Sequence, residues 1–175
     1  MVNAHLSGLT SLRLSKYKSV KNDLSDFPSF PALRELEIAQ STIQSLNGIS
    51  QFSGLNRIEM YGMSKLEILD ELNLPELTAF IADVCKKISD HEQLGACANL
   101  EELKLHECGA IKSMRFVDSL RKLKTFRFIK TDVLDGDLSP LLRLDDVYFT
   151  EKRHFSHKIK DMKQSCPGVP VKLPN

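Results

Sequence analysis

One short apolar pattern recurs along almost the whole chain and limits what the chain can fold into. The pattern is LxxLxL, with other apolar residues in place of some leucines, and it occurs seven times. The copies are LTSLRL (9–14), LRELEI (33–38), LNRIEM (55–60), LTAFIA (77–82), LEELKL (100–105), LKTFRF (123–128) and LDDVYF (144–149). Successive copies begin 24, 22, 22, 23, 23 and 21 residues apart. A fixed period of about 20 to 50 residues indicates a repeat architecture, in which each unit packs only against its neighbours.

The rest of each unit keeps the same spacing. Counting from the first Leu as position 0, position 8 holds Met63, Cys85 and Cys108 in three successive units. Positions 11, 14 and 17 hold Leu66, Ile88 and Ile111, then Leu69, His91 and Met114, then Leu72, Leu94 and Val117. The alternation within LxxLxL predicts a β-strand whose Leu side chains point into the core. The later apolar positions predict a return through a loop, a 3₁₀ turn or a short helix.

In its period and in these positions the chain resembles leucine-rich-repeat proteins over about residues 6–155. The resemblance implies an α/β fold, a right-handed superhelical solenoid of about seven repeats of 21–24 residues with a parallel sheet on its concave face. Residues 33–52 resemble the 22-residue repeats of bacterial internalins and of a phosphatase-regulating subunit, whereas repeats four and five resemble the cysteine-containing type. The family usually has Asn or Cys at position 8, where Asn binds the loop backbone of neighbouring repeats. Tyr17, Ser41, Met63 and Thr131 depart from Asn there.

The two ends of the solenoid are expected to differ. The sequence divides into a short lead-in (1–8), the repeats (9–155) and a C-terminal cap and tail (156–175). Near the C-terminus, Ile159, Met162 and Cys166 are spaced at i, i+3 and i+7 among lysines, which predicts a helix that caps the last repeat. Only about eight residues precede the first repeat, too few for the usual cap. Either the chain is cut from a longer protein, or another chain covers this edge, for instance a second copy in a homo-oligomer.

The outward positions 2, 4 and 6 of the strands should form three columns, because neighbouring strands stack about 4.8 Å apart. Position 2 holds Ser11, Glu35, Arg57, Ala79, Glu102, Thr125 and Asp146. Position 4 holds Arg13, Glu37, Glu59, Ile81, Lys104, Arg127 and Tyr148. Position 6 holds Ser15, Ala39, Tyr61, Asp83, His106, Ile129 and Thr150.

Two groups of outward residues are candidates for binding a partner. The preferred site combines aromatic, apolar and mostly basic residues: Tyr61, Ile81, Asp83, Lys104, His106, Arg127, Ile129 and Tyr148. The secondary patch is acidic and comprises Glu35, Glu37 and Glu59. Outward apolar residues on a sheet favour a covered surface, and Tyr and Arg are common at interface hot spots. The alternative is an ordinary solvated surface, since single exposed apolar residues are normal.

Asp83 and His106 occupy neighbouring places in the position 6 column, where a carboxylate would favour the charged form of the imidazole. No Ser or Cys nucleophile lies beside them, and an open sheet does not exclude water. We therefore interpret them as an ion pair or a partner contact. The usual phosphate, dinucleotide, zinc-protease and serine-hydrolase motifs are absent from the sequence. We expect no enzyme activity, no catalytic residue and no cofactor.

The four cysteines lie far apart and include no CxxC pair. Free thiols are therefore expected rather than a disulfide scaffold, with Cys85 and Cys108 packed in the buried turns. His154 and His157 lie in a basic stretch that we interpret as a solvated cap, the alternative being a phosphate or carboxylate contact. Neither the Cys85 and Cys108 pair nor the His154 and His157 pair has the further ligands that a metal site needs, so no metal is expected.

The net charge of +1 argues against a dedicated nucleic-acid binder, although residues 1–22 and 151–175 each carry +4 and the middle carries −7. No apolar run approaches the roughly 18 residues that span a bilayer, and the N-terminus lacks a signal-peptide pattern. We therefore expect a protein of the cytoplasm, or an effector delivered from it.

The function expected from the resemblance is a non-enzymatic protein-interaction module or scaffold that binds another protein on the concave sheet face. One alternative is a recognition domain cut from a larger enzyme, receptor or effector. Another is binding of nucleic acid or an anionic membrane through the basic ends, which would depend strongly on salt.

Overall fold

The computed structural model describes residues 8–70 and 72–163, and these residues form one sheet of seven strands. The strands are β1 (Ser11–Ser15), β2 (Glu35–Ala39), β3 (Arg57–Tyr61), β4 (Ala79–Asp83), β5 (Glu102–His106), β6 (Thr125–Phe128) and β7 (Asp146–Phe149). They follow one another in the sheet in chain order, and every neighbouring pair is parallel. Each LxxLxL copy supplies one strand, so the predicted leucine-rich-repeat solenoid is confirmed.

The helices of the return segments are 3₁₀ helices throughout the described residues. They span Ile49–Gln51, His91–Ala96, Met114–Ser119, Ser139–Arg143 and Ile159–Asp161. Tight 3₁₀ turns rise about 2 Å per residue, which lets a short segment cross from one end of a strand back to the other. None of these helices has the length and apolar character needed to cross a bilayer.

Side chains alternate between the core and the outward face of the sheet, as period two requires. The buried inward residues of β2 to β7 are Leu36, Ile38, Ile58, Met60, Phe80, Ala82, Leu103, Leu105, Phe126, Phe128, Val147 and Phe149. In β1 the equivalent Leu12 and Leu14 are only partly buried. Equivalent positions pair across every strand boundary, for example Glu37 with Glu59 and Asp83 with His106. The predicted columns at positions 2 and 4 are therefore confirmed, and so is the position 6 column through β5.

Aromatic rings close the core beside the last strand. The rings of Phe128 and Phe149 are stacked with centroids 5.0 Å apart, and the edge of Phe155 packs on both. The predicted capping helix is wrong over the part that the structure describes. Only Ile159–Asp161 is helical, and Met162 is extended but buried. The backbone there turns once, stabilised by the Asp161 carboxylate accepting from the Lys158 N–H at 2.7 Å. Cys166 lies outside the described residues.

A residue with positive φ at position 7 follows each of the first six strands, directly after β1 to β5 and one residue later after β6. These residues are Lys16, Gln40, Gly62, Val84, Glu107 and Lys130, with φ between 47° and 63°. Their backbone turns the chain into position 8 while the N–H still pairs with the next repeat, as from Val84 to the His106 carbonyl at 2.9 Å. Val is a β-branched residue that rarely adopts this conformation, so the stacked backbone, and not local preference, sets the turn at position 84.

Position 8 forms a buried row in which short polar side chains do the work usually done by Asn. The Ser41 hydroxyl donates to the Tyr17 carbonyl at 2.7 Å. The Thr131 hydroxyl donates to the Leu105 carbonyl at 2.7 Å and accepts from the Cys108 N–H at 3.0 Å. These hydrogen bonds join one repeat to the next and leave few orphaned backbone groups in the turn.

The cysteines of the described residues are free and buried, as expected for packed thiols. Cys85 and Cys108 occupy position 8 of adjacent repeats, and the Cys108 thiol lies 3.5 Å from the Ala82 carbonyl. Burial raises the pKa of Cys97 to about 11, so this group is a thiol at neutral pH. A buried, protonated thiol is a poor nucleophile.

Thr131→Val keeps the side-chain volume and removes the hydrogen bonds of the hydroxyl. We expect it to lower the free energy of unfolding by about 2 kcal/mol, because a buried N–H and a buried carbonyl lose their partner. Thr131→Ser, which keeps the hydroxyl, should cost clearly less. Urea denaturation measures both values, and equal losses in the two variants would show that the hydroxyl does not join the repeats.

His91 is the one buried histidine among the described residues, and it interrupts an apolar column. It occupies position 14, between Leu69 and Met114 of the neighbouring repeats, and is 1% exposed. Neither ring nitrogen has a hydrogen-bond partner among the described residues. Burial lowers the pKa of His91 to about 4; Glu92 opposes this shift and Lys112 adds to it. The ring is therefore held neutral in the core.

His91→Leu should stabilise the protein, and more so in acid. Below about pH 6.5 the unfolded chain takes up a proton that the folded chain accepts only near pH 4, so this histidine lowers stability as pH falls across that window. At pH 7 we expect a gain of about 1 to 3 kcal/mol from removing two unsatisfied nitrogens. At pH 4.5 the gain should increase by about another 2 kcal/mol. Urea denaturation at both pH values measures this, with Met114→Leu as the control. A gain that does not change with pH would contradict the prediction.

Candidate functional site

The candidate site is the outward face of the sheet, which we call the open face and define by positions 2, 4 and 6 of the seven strands. Its cations are mostly engaged with carboxylates of the same or neighbouring strands. Arg13 Nε lies 3.2 Å from Glu37 Oε1, at the β1–β2 boundary. The remaining pairs involve Arg57, Lys104 and Arg127, and they bring together residues of β3, β5, β6 and β7.

Arg57 anchors an ion-pair network that crosses β4. Its Nε lies 2.6 Å from Glu59 Oε1, and its terminal nitrogen lies 3.4 Å from Glu102 Oε2, two strands away. Arg57 can reach Glu102 because the intervening residue in the column is Ala79. Glu102 also accepts a hydrogen bond from Lys104. Burial acts to raise the pKa of Glu102, but Lys104 and Arg57 together hold it below its ordinary value.

Arg127 is held by Asp146 at the other end of the open face. The Asp146 side chain is only 10% exposed, and one of its oxygens accepts from Arg127 Nε at 3.1 Å and from a terminal guanidinium nitrogen. The Arg127 side chain remains 45% exposed. Tyr148 is the register partner of Arg127 on β7 and is half-buried. The guanidinium is thus fixed in orientation and still accessible.

Position 6 places Tyr61, Asp83 and His106 side by side on β3, β4 and β5. Tyr61 is 51% exposed. The Asp83 carboxylate makes no hydrogen bond or ion pair with any described residue. His106 is half-buried, and its Nε2 is buried without a partner.

Asp83 favours the charged form of His106, as expected, but the net effect of the surroundings is a lowered pKa. Burial lowers the pKa of His106, and the positive charges of Lys104 and Arg127 act in the same direction. Asp83 does act to raise the pKa, but it does not outweigh these effects. The imidazole is therefore neutral at pH 7 and forms no ion pair with Asp83.

All eight residues of the preferred site lie on β3 to β7 or, for Ile129, directly after β6. Ile81 is half-buried between Glu59 and Lys104 in the position 4 row. The acidic patch lies on β2 and β3 beside Arg13 and Arg57, around a shallow pocket of about 160 Å³. Of its three carboxylates, Glu35 makes no ion pair with a described residue. Whether either group binds a partner stays a prediction.

Sequence reasoning missed the anchoring residues Arg13, Arg57, Glu102 and Asp146. The signal that could have found them is the presence of opposite charges at adjacent places in the columns, as for Arg13 and Glu37. Asp146 carries a second signal, because a carboxylate that the packing buries needs a cation nearby.

The basic stretch near the C-terminus has a structural role in the described residues. Lys152 Nζ lies 2.8 Å from Asp132, and His154 Nε2 lies 3.0 Å from the Val133 carbonyl. These contacts join the last two repeats. No group of three or more potential metal ligands occurs within residues 8–70 and 72–163.

Comparison with known proteins gives one family match. The model of the leucine-rich-repeat domain of the endo-beta-N-acetylglucosaminidase EndoS matches residues 10–145. Among solved structures, an internalin from Listeria monocytogenes is similar with a TM-score of 0.49 and 14% sequence identity, over 90% of this chain and 54% of that chain. The chain thus spans about half the length of that internalin. No curated protein matches the sequence.

The Arg127–Asp146 pair should stabilise the protein more than the exposed Arg13–Glu37 pair does. A double-mutant cycle with alanine should give a coupling energy of about 1 kcal/mol for the first pair and below about 0.5 kcal/mol for the second. Arg127→Ala should also cost more than Asp146→Ala, because it leaves a nearly buried carboxylate without its cation. Urea denaturation measures these energies, and equal coupling in both pairs would contradict the expected anchoring.

Proposed function

Because the chain belongs to the leucine-rich-repeat family defined by the EndoS domain model, we propose that it is a protein-interaction module that binds a partner protein on the open face. In solenoids of this kind the sheet lines an extended concave surface that is used for binding. Each strand from β2 to β6 has a fixed neighbour on both sides, so the outward side chains are presented on a rigid support.

The observation that carries the proposal is the set of accessible aromatic and arginine side chains on β3 to β7. Tyr61 is half-exposed, and Arg127 is held in place by Asp146 beside Tyr148. Tyr, Trp and Arg dominate the binding energy of protein interfaces. Because Asp146 already holds Arg127, this side chain loses less conformational entropy when a complex forms.

Charge pairing on the open face also supports binding of a protein rather than a polyanion. The accessible cations Arg13, Arg57, Lys104 and Arg127 are each compensated by a carboxylate. A nucleic acid or an anionic membrane requires uncompensated positive charge. The open face carries little of it.

A second candidate function follows from the family name, in which the repeat domain belongs to an endo-beta-N-acetylglucosaminidase. In that case the chain would act as the recognition domain of a larger enzyme and would hold a substrate that contains N-acetylglucosamine for a catalytic domain. Capture that depends on N-acetylglucosamine in the bound molecule would favour this candidate over a simple interaction module.

The test is capture of proteins from extracts by the immobilised chain, followed by quantitative mass spectrometry. The triple variant Tyr61→Ala, Arg127→Ala and Tyr148→Ala should lose at least about tenfold of the captured partner, since truncating a hot-spot residue commonly costs more than 1 kcal/mol. The matched control truncates Val20, Leu134 and Leu142 to Ala, because these apolar side chains are exposed away from the open face.

Circular dichroism melting of both variants shows whether they remain folded. Any protein retained equally by the wild type, the triple variant and the control binds elsewhere on the chain. If that holds for every captured protein, the proposed function is wrong.

A further inference from the structure

Asp83 differs from the other carboxylates at the centre of the open face. Glu37, Glu59, Glu102 and Asp146 each contact an arginine or a lysine within the chain. The Asp83 carboxylate contacts no cation and no hydrogen-bond donor of the described residues. Positions 2, 4 and 6 together hold four Arg or Lys residues and six Asp or Glu residues. Two negative charges, on Glu35 and Asp83, therefore stay uncompensated.

The surroundings of these two carboxylates are different. Asp83 lies between Tyr61 on β3 and His106 on β5, in the same row of the sheet. Adjacent strands are about 4.8 Å apart, so a ring stands on each side of the carboxylate at a spacing of one strand. Glu35 begins β2 and has Ser11 and Arg57 as its register partners. Only Asp83 combines an unpaired charge with aromatic side chains.

We infer that Tyr61, Asp83 and His106 form a binding site for an arginine side chain of a basic segment in the partner. This inference rests on the proposed function and specifies the chemistry that the partner brings to the open face. A guanidinium can donate two parallel hydrogen bonds from its edge to the carboxylate, while its planar face stacks on a neighbouring ring. A lysine ammonium cannot make both contacts, because it is a compact point charge.

The neutral state of His106 suits this site. Four ionisable or charged groups face one another here: His106 on β5, Asp83 on β4, Lys104 on β5 and Arg127 on β6. Burial, Lys104 and Arg127 hold the pKa of His106 below its ordinary value, against the opposing effect of Asp83. At neutral pH the ring therefore adds no positive charge that would repel a bound guanidinium.

The arrangement also sets what else the partner segment must avoid. Lys104 lies on the same strand as His106 and Arg127 lies on the next strand, β6, and both are already paired with carboxylates. A second cation placed over them would face like charge. The bound segment should therefore present its arginine toward β3 and β4, with apolar or acidic residues toward β6.

The direct test is a nuclear magnetic resonance titration of the isotope-labelled chain with a blocked peptide, acetyl-Gly-Gly-Arg-Gly-Gly-amide. Lysine and citrulline versions serve as probes, since citrulline keeps the shape of arginine without its charge. We expect millimolar binding that shifts the signals of Tyr61, Asp83 and His106, at least tenfold weaker binding of the citrulline peptide, and intermediate binding of the lysine peptide.

Variants give each residue its own readout in this titration. Asp83→Asn and Tyr61→Ala should remove binding, whereas Tyr61→Phe should retain it because the ring remains. Asp118→Asn is the matched control, since it removes an exposed carboxylate that lies away from the open face and should change nothing. Three results each overturn the inference: no shifts up to about 20 mM peptide, which is well above a millimolar Kd; equal binding of the citrulline peptide; or full binding to Asp83→Asn.

Partner capture separates this inference from the proposed function. In one outcome, the triple variant loses capture, Asp83→Asn keeps it, and the peptide does not bind. This outcome supports the interaction module and contradicts the arginine site. In the opposite outcome, the peptide binds at Asp83 but the triple variant still captures the partner. This outcome supports a guanidinium site at Asp83 and contradicts partner binding on the open face.

Discussion

Parallel pairing of each strand with the next, in one constant register, is the constraint on which the rest of this molecule depends. A single repeat cannot bury its own leucines, because one strand and one turn offer no opposite layer of sufficient area. Stacking solves this only if equivalent residues meet, as Leu36 meets Ile58 and Ile58 meets Phe80. Every position of the repeat then forms a continuous row through the molecule, and the rows that point into the core are apolar in almost every member.

Rows that break this rule show what the stacking costs. His91 replaces a Leu or Met in an apolar row and is buried without a hydrogen-bond partner. At position 8, by contrast, Ser41 and Thr131 are polar but carry groups that bind the backbone of the neighbouring repeat. The difference lies in whether a donor or acceptor of the adjacent turn is within reach. A polar residue is tolerated in a row when the neighbouring backbone supplies its partner.

The strands, their order and their outward columns could be predicted from the sequence, because the spacing of leucines reports the register directly. Features set by the assembled backbone could not. Lys16, Gln40 and Val84 have no preference for positive φ, yet the turn after each strand requires it. The C-terminal helix failed for a similar reason: the spacing of Ile159 and Met162 fits a helix, but a single turn already buries Met162. The lowered pKa of His106 depends on burial, which spacing does not report.

On the open face, the identities of the outward residues alone do not show which charges are available to a partner. By composition its early strands hold the acidic patch and its later strands mix basic, acidic and aromatic residues, which suggests a partner that pairs with each charge in turn. The side chains instead pair with one another, and Ala79 allows Arg57 to extend this pairing across a strand to Glu102. A charge already held by a neighbour gives little new energy to a partner, because binding must first replace an existing contact. Partner binding then depends on the few groups that take no part in these internal pairs. Asp83 and the rings beside it should therefore contribute more to recognition than the more numerous paired charges around them.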